Sequence, residues 1–328
     1  MLIQVLLFAF GLVLLIRGGD WFVDSASSIA RQLHMPELLI GATIVSIGTT
    51  LPETMVSTQG ALLGSSSIAF GNAIGSIICN TALIAALTLV VHPSAVDRKV
   101  LLVPSLAFFI AAAFFCFNAY AFRAFPRLSG LILLAVFVVY VASMIRSSLA
   151  LARSKPAKGP KAESSVTAPS SCDPDTSLLR DGLMLCCGAA VIAIGARLLV
   201  SSTQVIALAM GIPESVIALT IVALGTSLPE LITAITSLRK GLGALSLGNV
   251  IGANLFNLVL VCGLAITIAP FDLASAGASS MTVDIPLMLL SMLLLVVPAL
   301  LFGRMHRAQG VILLLTYAGY CVYQFFFV

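Results

Sequence analysis

Long apolar runs separated by short polar breaks fill this chain from end to end. VLLFAFGLVLLI, LILLAVFVVYVA and LMLLSMLLLVVPALLF carry no charge at all. Each belongs to a segment that approaches or exceeds the roughly 20 residues a helix needs to cross hydrocarbon. The pattern predicts ten spans, at about 2–30, 35–60, 64–90, 98–117, 127–148, 181–203, 212–237, 243–267, 280–302 and 308–327. The alternating polarity of a membrane barrel is absent. The expected fold is therefore an all-α polytopic membrane protein. MLIQVLLFAFGLVLLIRGGD has no basic flank and no A-x-A-like cleavage site, so it reads as the first span rather than a signal peptide.

Composition agrees. Of 328 residues, 60% are hydrophobic and 9% charged, against about 25% charged in a soluble domain. The partners this suits are the lipid bilayer and inorganic cations, not nucleic acid. The seven cysteines mostly lie in apolar segments without metal or disulfide spacing, and read as buried, inert thiols.

One long polar segment interrupts the pattern, ARSKPAKGPKAESSVTAPSSCDPD, between spans five and six. Its Lys, Pro, Ser and Ala content is that of a mobile linker. The expected organisation is a first five-helix unit at 1–150, a linker at 151–180 and a second five-helix unit at 181–328. Basic residues set the orientation. One set of alternate loops holds thirteen of the seventeen Lys and Arg residues, among them Arg31, Arg98, Lys99, Arg239, Lys240 and the linker lysines. The opposite set holds only Arg123 and Arg127, and Arg17 and Arg197 fall within spans. The linker is expected in the cytoplasm and both termini outside.

The chain repeats itself. HMPELLIGATIVSIGTTLPETMVS at 34–57 and GIPESVIALTIVALGTSLPELITA at 211–234 share eleven of twenty-four positions at an offset of 177. The same offset aligns GNAIGSIICNT at 71–81 with GNVIGANLFNL at 248–258, and more weakly GGDWFVDS with GARLLVSS. Five spans per unit is an odd number, so the second copy enters the membrane from the other side. Such an inverted repeat is a signature of secondary transporters, although some channels carry one too.

Each copy has an unusual centre. Pro52 and Pro229 lack an N–H, which frees the carbonyls of Gly48 and Gly225. Unpaired backbone is tolerated at membrane depth only inside protein or beside a wet cavity. Thr49 and Thr50, or Thr226 and Ser227, stand beside it, and Glu53 and Glu230 follow on the same helix face. In the next span Asn72, Ser76 and Asn80 form one polar stripe. Asn249 and Asn257 repeat it, with Ala253 in the middle. Folded across a pseudo-axis, these carboxylates, hydroxyls, amides and carbonyls would meet near the midplane, an all-oxygen set suited to a hard cation. An intramembrane carboxylate is costly and marks an ion site or pathway. Other features have plainer readings. Gly71 with Gly75, and Gly248 with Gly252, are GxxxG packing motifs. Glu37 and Glu214 follow prolines at span starts and read as helix-dipole caps. Asp20 and Asp24 either pair with Arg17 or line the cytoplasmic mouth. His34, His92 and His306 fall at loop ends.

GTTLPE and GTSLPE, each followed by a G-N-x-x-G segment, resemble the cation/Ca²⁺ exchanger superfamily, in particular its bacterial sodium/calcium exchanger-like branch. The resemblance covers nearly the whole chain. It implies ten helices in two inverted five-helix halves, and Ca²⁺ exchange for Na⁺, in some members with K⁺. It implies ligand roles for Thr49, Thr50, Glu53, Ser76 and Asn80, and for Thr226, Ser227 and Glu230. It implies that spans one and six slide across a static core, that a single chain suffices, and that the protein is neither an enzyme nor dependent on a cofactor. Where those relatives commonly carry Ser and Asp in the second-half motif, this chain has Ala253 and Asn257; Ile77 stands where Asn is usual. Two carboxylates then balance one Ca²⁺ or two Na⁺. The rival readings are a Ca²⁺/H⁺ antiporter of the same superfamily, whose usual acidic motif after G-N is missing here, and a cation channel.

Overall fold

In a computed structural model the chain is almost wholly helical. The structure describes residues 2–33, 35–64, 66–93, 95–154, 178–209, 223–272 and 280–327. His34, Pro213, Glu214, the start of span seven and most of the linker lie outside the described residues. Among the described residues, seven helices are long and apolar enough to cross a membrane. An eighth is counted if the bent pair Glu37–Thr49 and Leu51–Leu62 forms one span.

The helices are α1 (Leu2–Gln32), α2 (Glu37–Thr49), α3 (Leu51–Leu62), α4 (66–91), α5 (Arg98–Phe122), α6 (Arg127–Ser154), α7 (Leu178–Ala209), α8 (Ala223–Thr226), α9 (Leu228–Arg239), α10 (Gly243–Ile268), α11 (280–302) and α12 (Arg307–Phe327). Helices α6 and α7 run further than the sequence pattern indicates. Arg146 and Arg153 do not stop α6, and Arg180 and Asp181 lie within α7, so helix occupies both ends of the 151–180 linker region. Polar residues end an apolar run without ending a helix, because the backbone ladder continues wherever the side chains can reach water.

Local chemistry sets the other boundaries. Pro36 precedes α2 and Glu37 occupies its first turn, as the capping reading requires. The Asp97 carboxylate accepts from Lys99 N at 2.9 Å and caps α5. Inside α11, Pro298 leaves the Leu294 carbonyl without its helical partner. Gln309 Nε2, from α12, donates to the carbonyls of Leu294 and Leu295 at 2.7 Å each.

Helices α1 and α7 pack antiparallel along their length. Gly11 meets Gly195, Gly18 meets Ile192 and Phe22 meets Gly188. A Cβ on Gly11 would lie 2.9 Å from the Gly195 carbonyl oxygen, so only glycine admits this approach. Ser28 Oγ and Gln32 Nε2 donate to the buried Asp181 carboxylate at 2.6 and 2.5 Å, clamping one end of the pair. The pair leans on α2, α9 and Leu245 of α10 through its own apolar cluster. The larger core is built from α4, α5, α10 and α11. Within α10, Gly248 and Gly252 press against the backbone of α2 at Leu38 and Ala42, as their GxxxG spacing suggests.

Two short bridges tie loops together. Strand β1 (Ala124–Phe125) pairs antiparallel with β2 (Phe271–Asp272), Ala124 opposite Asp272. Elsewhere Ala95 bridges Arg304. Left-handed residues enter both, Arg123 (φ 52) before β1 and Gly303 (φ 66) before Arg304.

Candidate ion-binding site

The proline motifs break the helices where the sequence places them. α2 ends at Thr49, Thr50 sits at the bend (φ −82, ψ −2), and α3 restarts with Pro52 in its first turn, bent by 45°. Ser227 (φ −92, ψ 7) likewise separates α8 from α9, which has Pro229 in its first turn. Glu53 and Glu230 therefore sit in the first turn of a helix, where the backbone dipole favours negative charge. Both are fully buried.

Helices α4 and α10 complete the site from across the fold. Thr49 Oγ1 donates to Asn249 Oδ1 at 3.1 Å, and Ser46 Oγ to the Asn249 carbonyl at 3.0 Å. Ser227 Oγ donates to Ser76 Oγ at 3.3 Å. Each bond joins a residue of one sequence copy to a residue of the other. The Glu53 and Glu230 carboxyls lie within electrostatic reach of each other, with the Thr49 hydroxyl beside Glu230, although neither carboxylate has a well-aligned hydrogen bond. Both stripe ends open a π-helical turn, Asn80–Ala85 and Asn257–Val261. Such turns widen the backbone ladder and occur often at functional sites. The first packs against α9, the helix of Glu230, and the second against α3, the helix of Glu53.

Four side chains stand out. Glu53, Glu230, Asn80 and Asn257 are fully buried, and none of their side-chain oxygen or nitrogen atoms has a partner among the described residues. Thr50 Oγ1 and Asn249 Nδ2 are also buried without partners. Leaving such groups unmet costs about 1–3 kcal/mol each, and more when charged. A hard cation held by the carboxylate and amide oxygens would meet that cost for the acceptors. Among the described residues no three His, Cys, Asp or Glu side chains form a metal-binding group, so neutral oxygens must supply much of any coordination here.

The remaining candidates are placed differently. Asn72 is half-buried, and its Nδ2 donates to Ser57 Oγ at 2.8 Å and the Glu53 carbonyl at 3.3 Å, bracing the first turn of α3. Thr226 is buried at the end of α8. Asp20 and Asp24 pair with Lys240, at 3.4 and 2.8 Å, rather than with Arg17. Lys240 caps α9, and its long side chain reaches back to α1, a tertiary contact that sequence distance conceals.

Sequence reasoning missed Asn254. It is fully buried, and its Nδ2 donates to Thr81 Oγ1 at 2.7 Å and to Met292 Sδ at 3.2 Å. The repeat comparison passed over it because its counterpart is Ile77. Its position three residues before Asn257, on the same face of an apolar helix, was the available signal.

Buried carboxylates, amides and hydroxyls at paired helix breaks are chemistry that suits a hard cation, and similarity to known proteins gives the class. The profile of the sodium/calcium exchanger protein family matches residues 3–146 and again 182–326. The chain belongs to the sodium/calcium exchanger family and is a multi-pass membrane protein. It is 35% identical to CaxA of Alkalimonas amylolytica over 326 residues, 98% of each chain. It is 30% identical to the sodium/calcium exchanger MaX1 of Methanosarcina acetivorans over 353 residues, 99% of each chain. Its fold is similar to that of the sodium-calcium exchanger NCX_Mj soaked with Na⁺ and Ca²⁺, at a TM-score of 0.78 and 29% identity, covering 100% of this chain and 99% of that one.

Proposed function

We propose that this chain is a secondary active antiporter that exchanges Na⁺ for Ca²⁺ across the cell membrane by alternating access. The observation that carries the reading is the set Glu53, Glu230, Asn80 and Asn257, fully buried and unmet by any group among the described residues. The relatives named as sodium/calcium exchangers support the choice of ions.

Two carboxylates give the site a charge of −2. One Ca²⁺ or two Na⁺ neutralise it, and the hydroxyls of Thr49, Thr50, Ser76, Thr226 and Ser227, with the amides of Asn80, Asn249 and Asn257, complete the coordination. Asn72 holds the Glu53 turn in place. The same charge enforces exchange. Two like charges about 4 Å apart repel by about 4 kcal/mol at an effective dielectric of about 20. Burying both without a cation adds desolvation. The empty site therefore resists being closed over, and the transporter changes face only when loaded.

The glycine-lined α1–α7 pair is the mobile element of this reading, and α2–α6 with α8–α12 are the static part. Ten spans in two inverted halves, an external position for both termini and a cytoplasmic linker belong to the same proposal. The loop bridges support the two-fold relation. Asp272 stands 177 residues after Ala95 and Arg304 stands 180 after Ala124, so the Ala124–Asp272 and Arg304–Ala95 bridges exchange when the halves exchange.

The test is flux in inside-out vesicles loaded with Na⁺ and diluted into Na⁺-free medium. Ca²⁺ uptake that needs the outward Na⁺ gradient and survives a protonophore is expected. Uptake driven only by a proton gradient would reassign the protein as a Ca²⁺/H⁺ antiporter. Flux that persists without any counter-ion gradient and does not saturate would make it a channel.

A further inference from the structure

We propose that the hydroxyls of Thr88, Thr233, Ser237 and Ser246 line the route by which hard cations such as Na⁺ and Ca²⁺ pass between the glutamate pair and the Lys240 end of the bundle, and that the matching positions of the other half offer no such lining. The proposal rests on the reading of the glutamate pair as a cation site.

Thr233 and Ser237 lie three and seven residues after Glu230, on one face of α9. Both are fully buried and neither hydroxyl has a partner. Six of the other helical threonines behave differently. Thr43, Thr54, Thr81, Thr88, Thr267 and Thr316 each donate to the carbonyl four residues back. A buried hydroxyl that declines that bond is left with its oxygen aimed into the protein. Helix α9 packs against α10 and against residues 80–91 of α4. At that place Thr88 and Ser246, both buried, face each other at 3.2 Å. Thr88 lies eight residues beyond Asn80, and Ser246 three before Asn249. Their helices meet where His92 approaches Gly243, next to the Lys240 turn. Hydroxyls on three helices thus lead away from the site in one direction. Asp20 and Asp24 stand with Lys240 at that end.

The repeat supplies the comparison. At the offset of 177, the counterparts of Thr233, Ser237, Ser246 and Thr88 are Val56, Gly60, Ala69 and Ala265. None carries a hydroxyl. Ala69 and Ala265 pack with Ala61 in an apolar cluster, beside Phe70, Phe115 and Phe271. The Ser57 hydroxyl there is engaged by Asn72 and the Ala69 carbonyl. A cation that sheds water must find replacement oxygens, and an alanine wall gives none. The two approaches to the site therefore differ in chemistry although they are built from matching helices. Passage at the Lys240 end relies on protein hydroxyls, and the matching positions at the other end supply none.

The experiment uses the full-length protein in a cysteine-free background, reconstituted in sealed vesicles. Single cysteines replace Thr233, Ser246, Ala69 or Ala265, and a cationic methanethiosulfonate is applied to each face. Thr233→Cys and Ser246→Cys should react from the Lys240 face at least about tenfold faster than Ala69→Cys and Ala265→Cys react from the opposite face, since an apolar lining excludes the charged reagent. Equal rates at both pairs, or no reaction at Thr233→Cys and Ser246→Cys, overturn the proposal. This readout involves no ion flux, so a protein that labels as expected but exchanges no Ca²⁺ contradicts the exchange reading alone. In a second arm, Thr233→Val with Ser237→Ala should slow Ca²⁺ exchange from the Lys240 face by about tenfold, the effect of losing one hydrogen bond to a charged group. Equilibrium Ca²⁺ binding should be unchanged. A rate unaltered from that face, or a matching loss of binding, overturns the proposal.

Discussion

Substituting Gly252 by Ala tests how the site is held. An added Cβ would lie 2.6 Å from the Ala42 Cα and 2.7 Å from the Ala42 carbonyl carbon, and against Ser46 Oγ as well. Ordinary contact begins at 3.4 Å, so α10 would have to retreat from α2 by about 0.8 Å. The obstacle is backbone, so no rotamer relieves it. Overpacking of this kind costs about 1–3 kcal/mol. The retreat also stretches the Ser46–Asn249 and Thr49–Asn249 bonds, at 3.0 and 3.1 Å, each contributing about 1 kcal/mol. Better helix propensity returns about 1 kcal/mol. The balance is a loss of about 2–4 kcal/mol, together with weaker Ca²⁺ binding because Asn249 moves. Gly243→Ala is the control, since the atom nearest its added Cβ, His92 Nδ1, is at 3.5 Å. Thermal unfolding of the purified protein in detergent reads the first effect and equilibrium Ca²⁺ binding the second. A Gly252→Ala protein that melts at or above the wild-type temperature would refute the packing argument.

Three further substitutions have defined outcomes. Gln309→Ala removes both donors to the carbonyls near Pro298; a loss of about 1–3 kcal/mol in thermal unfolding is expected, and an unchanged midpoint contradicts the role. Lys240→Met should change stability by under about 1 kcal/mol, because its partners Asp20 and Asp24 are 37% and 68% exposed at the side chain; a larger loss would show that the pair is shielded from solvent. Asn257→Asp adds a third carboxylate, and the Na⁺ dependence of Ca²⁺ uptake should steepen as a further Na⁺ is compensated; an identical Na⁺ dependence contradicts the charge-balance argument.

Much of the site was legible because proline and glutamate are conspicuous in apolar helices. Pro52 and Pro229 announced the breaks, and the buried carboxylates follow from them one residue later. Asn80 and Asn257 were legible as stripe members, but the π-helical turns they open were not, since hydrophobic periodicity does not record one extra residue in a ladder. Tertiary reach was hidden as well. Asp20 and Asp24 find Lys240 instead of Arg17, and Ser28 and Gln32 find Asp181, because helices α1, α7 and α9 meet only in the fold. Helix ends were misjudged where Arg146, Arg153 and Arg180 interrupt the apolar pattern without interrupting the backbone. The repeat revealed what the halves share and concealed where they differ, as at Asn254 and Thr233.

The central claim is that Glu53, Glu230, Asn80 and Asn257 form one cation site. Equilibrium binding of radioactive Ca²⁺ to the purified protein, with Na⁺ as competitor, addresses it most directly. One Ca²⁺ per chain, displaced by Na⁺ and lost in both Glu53→Gln and Glu230→Gln while each variant remains folded, is the predicted result. Ca²⁺ binding that survives in both variants would contradict it.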